Sequence, residues 1–488
     1  MKKLVIINTL LLSMYVLVSC NEGYTDVQPQ FQINSETYFN TPEDYQDALV
    51  GAYDATANTY INVLTAEIAS DNTLCGGENA NDVPGWQEID DMIHTPVNEQ
   101  LRSLWQWMYG GINRTNYIFE FQDKLNFPGK NEVLAEASFL RAYYYFELVK
   151  FFGDVPMPLD ERVTFGQETS FPRVPKEQVY NQIEADLTFA AENLPVEQEQ
   201  AGRATRGAAL ALLGKAHLYQ DDFQAAATAL EQVINLNAYA LFDSFSNLFS
   251  LQNENSIESV FEVQYSTQQG AGFGCLQCSE GNIMVGFSGV RGYSGPIYAS
   301  GFSFNVPVQE LVDAYEEGDE RLRTTVLDIE QFIEEQGGGI EYTQGFEHTG
   351  YYNNKYIPRQ GEAQSGDVNL TSPRNYRSIR YADVLLMAAE ALNRGGIDDG
   401  RALQYLNQVR ERAGLDPVNA GGAELTEAIY QERRVELAGE GHRFFDLVRT
   451  GRAAEEINGF EAGKHELFPI PLIEIELSGN TITQNPNY

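Results

Sequence analysis

ATRGAALALLGKAHLYQDDFQAAATALEQVINLNAY, residues 204–239, decides the fold. Apolar residues recur at helical spacing on either side of Asp221-Asp222, which predicts a helix, a tight turn and a second helix. Small Gly214 and Ala226 stand where two antiparallel helices must approach closely. A looser copy, RYADVLLMAAEALNRGGIDDGRALQYLNQVRERAGL (380–415), has its turn lengthened around Gly395 to Gly400.

The unit resembles a tetratricopeptide repeat, a stacking helix pair of about 34 residues. One pair cannot bury both its faces, so further pairs must stack beside it. In NEVLAEASFLRAYYYFELVKFFG (131–153), Val133, Ala137, Leu140, Tyr144 and Leu148 fall on one helical face. EQVYNQIEADLTFAAENL (177–194) places Val179, Ile183 and Leu187 likewise, and Trp105 and Trp107 sit on another helix-like run. The fold class is therefore mainly α, a tetratricopeptide-like helix-pair scaffold forming an α-α superhelix.

Between the copies the texture changes. Residues 264–307 are dense in glycine and aromatics with no helical period, and 337–378 and 70–100 are similar. Long irregular stretches in a helical protein are functional or disordered, and the ring content of these favours an ordered, loop-rich binding face.

The first residues set the compartment. Lys2 and Lys3 precede an apolar run, Leu4 to Val18, that is shorter than the roughly 20 residues a spanning helix needs. It ends on Leu17-Val18-Ser19-Cys20, which resembles a bacterial lipobox: Met1 to Ser19 leaves and Cys20 carries the lipid, more than one acyl chain giving stable anchoring. The net charge is −38, from 32 basic against 70 acidic residues, a surface that repels nucleic acid and anionic headgroups. Cys275 and Cys278 have CxxC spacing without the further ligands of a zinc site, leaving a local disulfide or two plain thiols. No cofactor motif is present; so acidic a chain has ligands for a structural calcium ion, although the EF-hand pattern is absent.

AEASFLRAYYYFELVKFFGDVPMPL (135–159), SIRYADVLLMAAEALNR (378–394), QERRVELAGEGHRFFDLVRTGR (431–452) and LFPIPLIEIELSGNTITQNPNY (467–488) resemble the SusD/RagB family across nearly the whole mature chain. The resemblance implies a surface lipoprotein that captures a glycan without turnover. It also implies delivery to a SusC-like TonB-dependent transporter, outside the outer membrane. The expected divisions are 1–19 signal, 20–34 tether, 35–260 N-terminal half, 261–378 ligand-facing loops and 379–488 C-terminal helices and tail. A surface glycoside hydrolase and a scaffold for envelope assembly are the competing classes. GFSGV (286–290) misses the GxSxG pattern and no HExxH is present.

Glu432, Glu436 and Glu440 share one predicted helical stripe, and like charges at that spacing need partners. Arg433, Arg434, His442, Arg443, Asp446 and Arg449 are the nearby candidates for a structural network, with Arg141 and Arg380 also framework. Ligand residues follow from sugar chemistry, which offers apolar C–H faces and hydroxyls. Trp86 with Asp71, Asn72 and Gln87 fits that need, as do Arg291, Tyr293 and Tyr298; packing of each ring within its own loop is the competing role. The acidity favours a neutral glycan.

Overall fold

Gly214 explains how the first helix pair closes: a Cβ there would lie 2.5 Å from Leu230 Cγ, so only glycine permits this approach. The computed structural model describes residues 38–488 apart from 271, 279 and 364. The signal stretch, Cys20 and the tether lie outside the described residues. No helix among those described is long and apolar enough to cross a membrane.

Among the described residues, eight helices of seven residues or more precede the loop-rich region: α1 (Pro42–Asp54), α2 (Thr59–Ile68), α3 (Pro84–Asp90), α4 (Glu99–Glu120), α5 (Lys130–Phe152), α6 (Lys176–Asn193), α7 (Arg206–Leu218) and α8 (Phe223–Asn235). After it come α9 (Tyr381–Arg394), α10 (Asp399–Arg412), α11 (Gly422–Leu437) and α12 (Arg443–Arg449). From α4 to α8 each helix packs on the next, α9 continues the stack on α8, and α10 packs on α9. The second pair thus sits beside the first despite the long stretch between them.

That stretch is an excursion with pinned ends. The chain leaves the scaffold along β1 (Ser259–Val263) and returns along β2 (Tyr376–Arg380), the two pairing antiparallel with Val263 opposite Tyr376. Within the excursion, Val290, Tyr293, Tyr298, Val306, Leu327, Ile329, Tyr352 and Ile357 form a small core of their own. The stretch 70–100, expected to be irregular, contains α3, whose first turn begins at Pro84.

α5 differs from the one-faced helix its periodicity predicts. Nearly all of it is buried, because α1 and α4 cover one side and α6 another. Its polar residues are accordingly paired: Arg141 Nε and Nη2 donate to Asp186 at 2.8 and 2.7 Å, and Glu136 accepts from Tyr53 Oη at 2.6 Å.

The acidic stripe finds other partners than its sequence neighbours. Glu432 accepts from Arg321 at 2.6 Å and Arg410 at 3.1 Å; Glu436 accepts from Arg380 at 2.8 Å and Arg412 at 2.6 Å. Glu440 lies beyond α11, where Gly439 and Gly441 take φ of +83° and +81° and end the helix, yet it still meets Arg380 and Lys355. Arg433 turns instead to Asp383 and Asp446, and Arg449 to Glu390 and Asp446. One step along a helix rotates a side chain by about 100°, so Glu432 and Arg433 face different neighbours.

Two buried histidines make stability depend on pH. Burial holds His94 and His442 down at about 3, with His465 next in effect on the first and Lys215 on the second. The unfolded chain takes up these protons near pH 6.5 and the folded one does not, so this contribution is lost as pH falls from about 6.5 towards 3. Burial pushes Glu67 and Asp90 up to about 7, which gives the opposite slope between about 4.5 and 7 and flattens the total. A difference between variants isolates one group. The stability gap between wild type and His94→Gln should close by about 1.4 kcal/mol per pH unit below pH 6.5. Urea unfolding at pH 7 and pH 5 checks it; a constant gap would show that His94 takes up its proton as readily in the fold as in the unfolded chain.

Candidate functional site

A cleft of about 700 Å³ opens where the excursion meets the N-terminal helices. α2 contributes Tyr60 and Ile61, the loop before α3 contributes Glu78, Asp82 and Val83, and the start of α4 contributes Gln100 and Ser103. The excursion supplies Phe273, Phe287, Arg291, Phe302 and Phe304.

Close backbone packing shapes the loop before α3. A Cβ on Gly76 would fall 2.1 Å from the Ser303 carbonyl oxygen, and Gly77 N–H donates to that oxygen at 2.8 Å. Gln87 Nε2 donates to Gly76 O at 2.6 Å, and Asp90 Oδ2 accepts from Cys75 N–H at 2.8 Å, tying the loop to α3. Val83, on the cleft wall, has φ of +50°, a left-handed conformation that a β-branched residue adopts only at a cost of about 1–2 kcal/mol. Such strain concentrates at ligand sites.

Arg291 joins the two walls. Its Nη2 donates to Asp82 at 3.1 Å and to Phe302 O at 2.8 Å. Asp82 Oδ2 also accepts from Glu78 N–H at 2.7 Å.

Of the residues expected to bind, Trp86 and Arg291 reach the cleft. Trp86 is nevertheless 3% exposed, set edge-on to Phe287 and Phe304 at centroid distances of 4.9 and 5.1 Å, so it is a core residue at the cleft floor and not an open platform. Asp71 is held by Arg443 at 2.7 Å and Arg434 at 3.0 Å, and buried Asn72 accepts from Arg434 at 2.9 Å. Gln87 spends its amide on Gly76. Tyr293 and Tyr298 are buried against each other and Phe332 in the excursion's small core. The structure thus brings none of these five to the cleft wall: distant arginines engage Asp71 and Asn72, the Gly76 carbonyl engages Gln87, and rings of the small core engage Tyr293 and Tyr298, partners that their sequence neighbours do not disclose.

Phe273, Phe287 and Phe302 were missed, though a signal exists. Each follows a glycine: Gly272, Gly286 and Gly301. At two of them a Cβ would clash, 1.5 Å from Asn369 O at Gly286 and 2.5 Å from Gly286 O at Gly301, so glycine lets the backbone press against its neighbour while the following ring turns into the cleft. Phe273, 65% exposed, is the open ring of the set, and Phe302 packs on it at 5.4 Å. Cys275 and Cys278 are joined in a disulfide at the cleft rim.

A family model described as the SusD family matches residues 257–488, and a second, described as starch-binding associating with outer membrane, matches residues 23–218. SusD-like protein P2 of Formosa agariphila is 30% identical, over 98% of this chain and 99% of its own. Among solved structures, a laminarin binding SusD-like protein is 36% identical, with a TM-score of 0.84 covering 91% of this chain and 99% of that one. Surface glycan-binding protein A from Bacteroides thetaiotaomicron in complex with laminarihexaose is 27% identical, with a TM-score of 0.82 covering 92% and 100%.

Proposed function

We propose that this chain, which belongs to the SusD family, captures a neutral glycan in the cleft between α2, α3, α4 and the excursion, with laminarin the first candidate. One observation carries the reading. The cleft sets an open ring, Phe273, beside Phe302 and faces them with the polar edges of Glu78, Asp82, Arg291, Gln100 and Ser103. A sugar ring needs that combination, an apolar surface for its C–H face and donors and acceptors for its hydroxyls. Arg291, the one cation among the described lining residues, is bonded to Asp82, and Glu78 adds a further negative charge. A polyanionic glycan would therefore meet repulsion. The solved relatives described as binding laminarin point to the same ligand class.

Capture proceeds without turnover: Asp82 is engaged by Arg291 and the Glu78 backbone, which suits a positioning group better than a proton donor. The glycan then passes to a SusC-like TonB-dependent transporter, while lipidated Cys20 holds the protein on the outer face of the outer membrane. Support for this placement comes from the Leu17-Val18-Ser19-Cys20 lipobox and from the family model's outer-membrane description.

Isothermal titration of the mature chain should give saturable binding of laminarin and at least tenfold weaker binding of alginate, with no reducing ends released in parallel. Release of reducing sugar would overturn capture without turnover, and equal alginate affinity would overturn the neutral preference. Surface labelling of intact cells tests the outward orientation, complete protection placing the protein inside.

A further inference from the structure

A disulfide, Cys275–Cys278, closes the loop that bears Phe273. Phe273 and Gly274 are the middle of a tight turn in which Cys275 N–H donates to Gly272 O at 3.0 Å, and Cys275 is bonded to Cys278. Among the described residues, few contacts hold this turn from outside. A Cβ built on either Gly272 or Gly274 would meet nothing within 4 Å. The Phe273 ring touches the body through the edge of Phe302, and Leu276 packs partly against the core. Cys275 and Leu276 are themselves part of the cleft wall, and both cysteines are exposed at the surface.

We propose that the Cys275–Cys278 disulfide is a positioning element for glycan binding, holding Phe273 over the cleft so that the oxidised protein binds more tightly than the reduced one. The proposal rests on the glycan-capture reading. A weakly packed turn without its cross-link samples many backbone states, and a ligand that stacks on Phe273 must then order it at the cost of affinity. Opening the bridge adds two electrons and two protons to give two thiols, with a dithiol reductant closing to its own cyclic disulfide. Both sulfurs are accessible to such a reagent, whereas the remaining described cysteine, Cys75, is a buried thiol.

Five samples test it by titration with laminarin: oxidised wild type, wild type in dithiothreitol, Cys275→Ser with Cys278→Ser, and Phe273→Ala with and without dithiothreitol. The reduced protein and the double serine variant should bind about tenfold more weakly than oxidised wild type, with melting temperatures within a few degrees of it. Phe273→Ala should be weakened as well, and dithiothreitol should change its affinity no further, because the bridge acts through that ring. If oxidised wild type binds and the double serine variant binds equally well, the positioning role is overturned and capture stands. A reductant effect of full size in Phe273→Ala would also overturn it. If oxidised, folded wild type binds no glycan of a neutral panel, both readings fall together.

Discussion

Arg380→Ala is expected to lose about 3–5 kcal/mol of folding stability, read as a fall in the urea unfolding midpoint. Arg380 is 1% exposed and donates to Glu440 at 2.7 and 2.8 Å, to Glu258 at 2.6 Å and to Glu436 at 2.8 Å. Against the burial that would raise it, Arg380 and Lys355 hold the Glu440 carboxyl at about 2, so it is charged at neutral pH. Removing the guanidinium strands carboxylates that have lost their water. Since a domain's total stability is about 5–15 kcal/mol, the variant should be near its unfolding limit. Arg380→Lys should recover only part of the loss, because an ammonium cannot reproduce the forked bonds to three carboxylates. A midpoint shift worth less than about 1 kcal/mol would mean that Arg412, Arg321 and Lys355 suffice without it.

Arg291→Ala should weaken laminarin binding by about 30-fold, roughly 2 kcal/mol, while moving the melting temperature by only a few degrees. The residue bridges Asp82 and Phe302 O across the two walls, and its side chain remains 17% exposed to the cleft. Its loss frees a carboxylate into the site and unties the backbone that carries Phe302. Glycan binding takes the larger share because the Arg291–Asp82 pair is itself partly exposed, and such pairs add little to folding stability. Unchanged affinity in a folded variant would move the site away from this cleft.

Locality explains how much was legible. The pairs α7 with α8 and α9 with α10 are written in residues three and four apart and in the turns at Asp221-Asp222 and Gly395 to Gly400, so the sequence discloses them directly. Glu432 and Glu436 announce a network for the same reason. Their partners do not, since Arg321 belongs to the excursion and Arg410 and Arg412 to another helix. Trp86 shows the limit more sharply: its residue type suits sugar stacking, but Phe287 and Phe304, some two hundred positions away, cover it.

Periodicity and charge were enough to establish a helix-pair scaffold carrying aromatic loops, on an acidic chain. Which rings stay open was settled by folding. Exposure depends on what distant segments place against a side chain: α2, α3, α4 and the excursion converge to bury Trp86 and leave Phe273 at the rim, while the excursion's own core takes Tyr293 and Tyr298.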